Sequence, residues 1–164
     1  MDVEDAIRGR RSVREYTKEP VSDGDIDVIL DAGRWAPSGL NNQPWRFMVL
    51  RGERKDSISR FTKYGGIIRK APVCVAVFFD RESGYDRTKD MQAIGACIQN
   101  MLLAIHDLGL GAVWLGEIVN QHEKVEAALG LKHELMAIVA IGHPIVSASE
   151  GERKGLDELM IEDG

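Results

Sequence analysis

Four arginines, Arg8, Arg10, Arg11 and Arg14, crowd into a short N-terminal stretch with no acid among them, although the chain as a whole is acidic. A guanidinium is a planar fork of donors that fits phosphate oxygens, and Ser12 adds a hydroxyl and a backbone N–H in the same turn. One phosphate monoester would satisfy this cluster. The competing reading is a solvated basic patch at a helix end. Arg153 and Lys154 put two further cations into the otherwise acidic tail from Glu150 to Asp163, where they either reach the same phosphate or pair with Glu152 and Asp157.

A second group is the polar, proline-bounded stretch Ala36-Pro37-Ser38-Gly39-Leu40-Asn41-Asn42-Gln43-Pro44-Trp45. Asn41, Asn42 and Gln43 offer amide donors and acceptors together, which suits the edge of a heterocycle carrying carbonyl and imide groups. An Asx-type turn with Trp45 anchoring it to the core would use the same residues. A third is Gly111-Ala112-Val113-Trp114-Leu115-Gly116-Glu117, where glycines flank a strand and free its ends for close approach to a flat ligand, or simply for close backbone packing. Other motifs fail. Gly109-Leu110-Gly111 begins a dinucleotide fingerprint, but Trp114 stands where the third glycine belongs, and the run follows a helix and not a strand. Phosphate-loop, GxSxG and HExxH patterns are absent, and His106, His122, His133 and His143 lack metal-ligand spacing, so no metal site is expected.

These groups need elements to hold them. Asp2 caps a short helix through Ile7, and Ser22 opens a second whose Ile26, Ile29, Leu30 and Gly33 share a face before Pro37 ends it. Residues Arg46 to Leu50 and Val73 to Phe79 read as strands, the second buried on both faces. From Thr88 to Leu108 apolar residues recur at three and four, the period of a long helix, and Ala93, Gly95, Ala96 and Ala104 let another helix come close, in the core or at a subunit interface. Gly109 and Gly111 stop it, and Ala112 to Leu115 continue as a strand. Asn120 with Glu123 forms a capping-box pattern for a short helix ending near Gly130, and Leu135 to Ile141 is a β-branched strand. Leu156, Leu159 and Met160 read as a small docking helix. Strands and helices mix without strict alternation, so the class is α+β.

The length of 164 residues suits one domain, residues 1–164. A net charge of −5 opposes a main role in gripping a polyanion, so no nucleic-acid partner is expected. Cys74 and Cys97 are too far apart in sequence for a CxxC and read as reduced core residues. Without an apolar leader or an uninterrupted long apolar run, the expectation is a soluble, cytoplasmic protein with no membrane partner.

Taken together, the segments resemble the nitroreductase family in order and content over nearly the whole chain. Arg10, Arg11, Ser12 and Arg14 look like its flavin phosphate and ribityl motif. Pro37, Ser38, Gly39, Asn41 and Gln43, with Pro44 and Trp45, look like its flavin-binding loop. Leu115, Gly116 and Glu117 are similar to the segment laid beside the isoalloxazine ring, and Gly142-His143-Pro144 with Arg153 and Lys154 match the closing motif. The resemblance implies a central, mostly antiparallel sheet flanked by helices, with a long central helix at a dimer interface. It implies FMN as cofactor, NADH or NADPH as donor, and ping-pong hydride transfer through flavin N5 to an electron-poor acceptor such as a nitroaromatic or quinone. No side chain is then needed as acid or base. It also implies a homodimer sharing FMN, with Pro37-Ser38-Gly39 supplied by the partner. Two departures stand out: Gly39 replaces a common second hydroxyl residue, and the stretch between Phe79 and Thr88 is brief. An FMN-storage module without turnover would carry the same binding residues.

Overall fold

The computed structural model of the chain describes residues 1–146 and 151–161. Within them β1 (Trp45–Leu50), β2 (Val73–Phe79), β3 (Gly111–Leu115) and β4 (Glu134–Gly142) form one antiparallel sheet in the order β1-β2-β4-β3. Every residue of β2 is buried. A strand covered on both faces has no polar side to alternate with, which is why Val73–Phe79 reads as an unbroken apolar run.

The two faces carry separate cores. Val73, Val75, Val77 and Phe79 pack with Ile29 of α2 (Asp23–Arg34) and with Ile94, Ile98 and Met101 of α5 (Arg87–Asp107). Cys74, Ala76 and Phe78 face the other way, against Ile58 of α3 (Gly52–Ile58), Ile68 of α4 (Gly65–Lys70) and Val125 of α6 (His122–Leu129). In β4 the alternation slips. Val77 pairs with Ala137 but Phe78 pairs with Leu135, so Met136 is an extra residue. Such a bulge moves a strand's side chains to the opposite face, and accordingly Leu135 joins one core while Ala137 joins the other.

Local chemistry sets the helix starts. The Asp2 carboxylate accepts from the Asp5 N–H at 2.9 Å ahead of α1 (Val3–Gly9), and the Ser22 hydroxyl accepts from the Asp25 N–H at 3.0 Å ahead of α2. The expected capping box at Asn120 does not form. A 3-10 turn over Glu117–Gln121 drives Ile118 into the core, and α6 starts only at His122 with no side-chain cap. Burying Ile118 therefore sets the start of α6, over the cap preference of Asn120. Gly130 does end α6 in the left-handed region, at φ 70°.

Sequence periodicity does not reveal α3 and α4. α3 offers Ile58 and α4 offers Ile67 and Ile68 to the core, and the two are joined by Lys55, whose buried ammonium donates to the carbonyls of Ile68 and Arg69 at 2.8 and 3.0 Å. The tail departs from expectation too. Leu156, Leu159 and Met160 sit in a single hydrogen-bonded turn and are all exposed, because no surface among the described residues covers them. Among the described residues no helix is long and apolar enough to cross a membrane.

The edge strand β3 is itself paired on its outer side. A Cβ on Gly111 would lie 2.8 Å from Cβ of Val13, so the absence of a side chain lets the N-terminal segment reach the strand. Replacing Gly111 by Ala is expected to destabilise by about 1 to 3 kcal/mol through overpacking. Gly66→Ala in α4, where the added methyl meets nothing within 4 Å, should instead be neutral or stabilising by up to about 1 kcal/mol. Thermal unfolding of both variants checks the contrast.

Candidate functional site

The segment after α1 runs along the free edge of the sheet. Val13 N–H donates to the Ala112 carbonyl at 2.8 Å, and Ser12 and Ala112 form a parallel bridge. Farther on, the Tyr16 hydroxyl lies 2.6 Å from the Val13 carbonyl and 3.1 Å from that of Ala140, and Thr17 N–H donates to the His143 carbonyl at 2.9 Å. Burial keeps the Tyr16 phenol protonated, well above its ordinary range. This stitching fixes where the arginines point.

Arg8 is withdrawn from the cluster by Glu4 one turn earlier, at 2.8 Å. Arg10, Arg11 and Arg153 converge. Arg10 is half-buried, and its guanidinium is held below the ordinary arginine value first by burial, then by the charges of Arg11 and Arg153. Arg11 spends one amino group on the carbonyls of Arg8 and Arg10, yet its buried Nε has no partner. Among the described residues no carboxylate pairs with Arg10, Arg11 or Arg153, so the suggested pairing with Glu152 or Asp157 is absent for Arg153. The same holds for Lys154, which is exposed. Arg14 reaches only the Ser12 carbonyl, at 3.4 Å. Beside the cluster Arg10, Arg11, Val13, Leu102, Ala112 and Pro144 line a recess of about 420 Å³. Like charges with an orphaned donor make a site whose repulsion an anion relieves.

The loop from Pro37 to Pro44 feeds β1, at the opposite edge of the sheet. Leu40, Asn41 and Gln43 all have positive φ, at 55°, 55° and 47°. Side chains resist that conformation, so the loop is held by outside bonds. The Ser38 hydroxyl accepts from the Gln43 N–H at 3.0 Å, and the Gln43 amide donates to the Asn41 carbonyl at 3.1 Å. Asn42 serves the fold, because its amide donates to the Asp90 carboxylate at 2.7 Å and the Ser83 carbonyl at 2.9 Å. Asp90 is buried and also accepts from the Tyr85 and Asp86 N–H groups. Its latch role is foreshadowed by an acid standing at an inward helical position, three and four residues before Ala93 and Ile94. Gly39 lies under the Tyr85 ring, where a Cβ would come 2.0 Å from the hydroxyl.

Gly116 follows β3 at the edge carrying the arginines, and a Cβ there would meet nothing within 4 Å. So Gly111 is explained by packing on Val13, whereas Gly116 opens onto free space. Glu117 is engaged by the Thr62 hydroxyl at 2.5 Å. Sequence patterns carry no signal for Thr62 or its neighbours, which come to this edge only through α3 and α4.

The family model of the nitroreductase family matches residues 7–64 and 59–143. The chain belongs to the nitroreductase family. A relative from Methanothermobacter thermautotrophicus, assigned as an NADH dehydrogenase/NAD(P)H nitroreductase, is 36% identical over 99% of this chain and 87% of its own length. A solved structure from Desulfovibrio desulfuricans, of a protein assigned as a nitroreductase and in complex with FMN, is 51% identical with a TM-score of 0.96 over 100% of this chain and 98% of that one. The NADPH:FMN oxidoreductase from Vibrio harveyi, solved with NAD+, shares the fold at a TM-score of 0.90 and 22% identity, over 98% of this chain and 76% of its own. The α+β nitroreductase fold, with its antiparallel sheet and long helix, is thus the one expected from sequence.

Two features bound the chemistry of this family member. Cys74 and Cys97 are buried free thiols, each pushed up to about 12 by burial, so neither is a thiolate nucleophile at neutral pH. Among the described residues no cluster of His, Cys, Asp and Glu is placed to hold a metal ion.

The Pro37–Pro44 loop has a pH-dependent anchor. Buried Asp80 binds Arg46, whose guanidinium also donates to the Gln43 carbonyl at 3.2 Å. The Ser83 hydroxyl first, then the Glu82 N–H and Arg46, hold Asp80 below its ordinary value of 3.8 against the opposing effect of burial. Arg87, assisted by Arg81, likewise lowers Glu134 from 4.5. A depressed pKa means the unfolded chain takes up the proton first, so the stabilisation is complete above these ordinary values and is lost as pH falls through the lower, folded-state ones. The melting temperature should begin to fall as the pH drops through the ordinary values of 4.5 and 3.8 and keep falling below them. Asp80→Asn should melt lower at neutral pH and show a shallower acid decline; an unchanged acid slope would count against this anchor.

Proposed function

We propose that the protein is an FMN-dependent oxidoreductase that takes reducing equivalents from NADH or NADPH and passes them to an electron-poor acceptor such as a nitroaromatic or quinone. The observation that carries this reading is the convergence of Arg10, Arg11 and Arg153, unpaired with any carboxylate among the described residues, around an orphaned buried Nε. A terminal phosphate monoester fits that donor set. Ser12 and Arg14 stand beside it for the ribityl chain, and Lys154 lies next to Arg153 in the tail. Leu115 and Gly116 flank the space for a flat ring, with the uncluttered Cβ direction of Gly116 as the approach. Bound there, FMN would supply hydride transfer at its ring, with the protein contributing position and a dry, polar edge.

The remaining predicted contacts argue for two copies. Pro37, Ser38, Gly39, Asn41 and Gln43 precede β1, while the arginines and Gly116 adjoin β3, three strand spacings away, or about 14 Å. One chain therefore cannot wrap both groups around one ring, and a homodimer sharing each site unites them. Exposed Trp35, Leu40, Trp114, Leu156, Leu159 and Ile161 supply apolar surface for such an interface. On the long helix, Gly95, Ala96 and Ala104 are only half-buried and available to a partner, whereas Ala93 is buried within its own chain.

Purified protein should be yellow, release FMN, and sediment as a dimer when loaded. Arg10→Ala and Arg153→Ala should each weaken FMN binding by about 1.5 to 3 kcal/mol, the range for a charged hydrogen bond. Unchanged affinity in the double variant, measured by titrating the apoprotein, would remove the phosphate assignment. Gly116→Val adds a branched group that meets no atom of its own chain, so the fold should persist while stopped-flow reduction of the flavin slows. Wild-type reduction rates in a fully loaded variant would place Gly116 away from the reactive edge.

A further inference from the structure

We propose that the recess between the α3–α4 connection and the turn after β3 binds a phosphate group of the nicotinamide dinucleotide donor. Its walls bring together Arg60, Thr62, Lys63, Glu117, Gln121 and Lys124 around about 580 Å³. Three cations from two stretches of chain, Arg60 and Lys63 from one and Lys124 from α6, meet here, and among the described residues none of them has an ion-pair partner. What marks the recess is that three such cations share one wall, whereas Arg34, Arg51, Lys70, Arg81 and Arg87 each sit against a carboxylate.

The single carboxylate in the recess does not neutralise it by contact, because Glu117 accepts from the Thr62 hydroxyl. Arg60 lies over the Phe61 ring at 4.9 Å and Lys63 over the Tyr64 ring at 5.2 Å, contacts that hold both charges near the wall while leaving their donors to solvent. Gln121 adds an amide. Three cations and an amide suit a phosphate better than a flat neutral acceptor, the Thr62 proton being committed to Glu117.

Location identifies whose phosphate it is. Glu117 is bonded to Gly116, so the recess begins one residue from the edge where the nicotinamide must lie, an assignment that rests on the function proposed above. A dinucleotide with its nicotinamide at that edge carries its phosphates outward along this surface. The flavin's own phosphate is accounted for at Arg10, Arg11 and Arg153. Two sources share the chemistry: the pyrophosphate of either donor and the 2′-phosphate of NADPH alone.

The test is the double variant Lys63→Glu/Lys124→Glu, whose side chains are exposed and outside both cores. With FMN content and melting temperature held, the KM for the donor should rise about tenfold or more, as when charged hydrogen bonds to a phosphate are lost. A rise for NADPH alone identifies the 2′-phosphate; a rise for both donors identifies the pyrophosphate. Unchanged KM for both overturns the proposal. Calorimetric titration of the wild type with 2′,5′-ADP and with ADP judges the recess without any turnover. Binding that the double variant loses supports it even if flavin reduction fails, and binding equal in both proteins, or absent in both, sinks it.

Discussion

The double burial of β2 and β4 is the constraint from which the arrangement follows. Covered by α2 and α5 on one face and by α3, α4 and α6 on the other, these strands must lie at the centre of the sheet. β1 and β3 are thereby sent to opposite edges, and each drags its polar segment with it. The strained Pro37–Pro44 loop goes one way; the arginine cluster and Gly116 go the other. On the function proposed above, a ligand touched by both groups would lie between two molecules. The hydrophobic effect inside one chain thus sets how far apart the two polar segments stand.

Each half of the site is held in a conformation it would not adopt alone. The residues at positive φ are fixed by Asp90 through Asn42 and by Asp80 through Arg46, two buried acids that each accept three hydrogen bonds from backbone and loop groups. The arginines are fixed by the Val13 and Tyr16 bonds to the sheet edge, and their mutual repulsion is tolerated only because the chain around them is anchored elsewhere. Rigidity of the scaffold is what allows charge to be left unpaired. The same logic applies at Arg60, Lys63 and Lys124, where the connection between α3 and α4, unannounced in sequence, carries two of the cations to α6 at the end of β3.

The candidate residues divide by how far their role is local. In sequence Gly39 reads as the loss of a hydroxyl contact, but it lies under Tyr85, so its size answers to packing across the loop. Asn42 stands beside Asn41 and Gln43 as an amide for a ligand, yet its amide is bound inside the protein. Gly111 and Gly116 look alike in sequence. Only the neighbour of each distinguishes them: Val13 fills the space above the first, and among the described residues nothing fills that above the second.

By itself the sequence determined the elements whose signals are periodic or capped, namely α1, α2, α5 and the four strands, because apolar spacing and Asp2 or Ser22 act over a few residues. It determined the chemical character of the anion site as well, since clustered arginines without acids mean the same thing in any fold. Tertiary structure alone decided that Arg8 leaves the cluster, that Arg153 joins it, that Ile118 displaces the cap at Asn120, and that Met136 switches the face of β4. Each of these depends on burial against a distant segment or on charges far apart in the chain. Such energies are set by distance in space, and a linear sequence records only distance along the backbone.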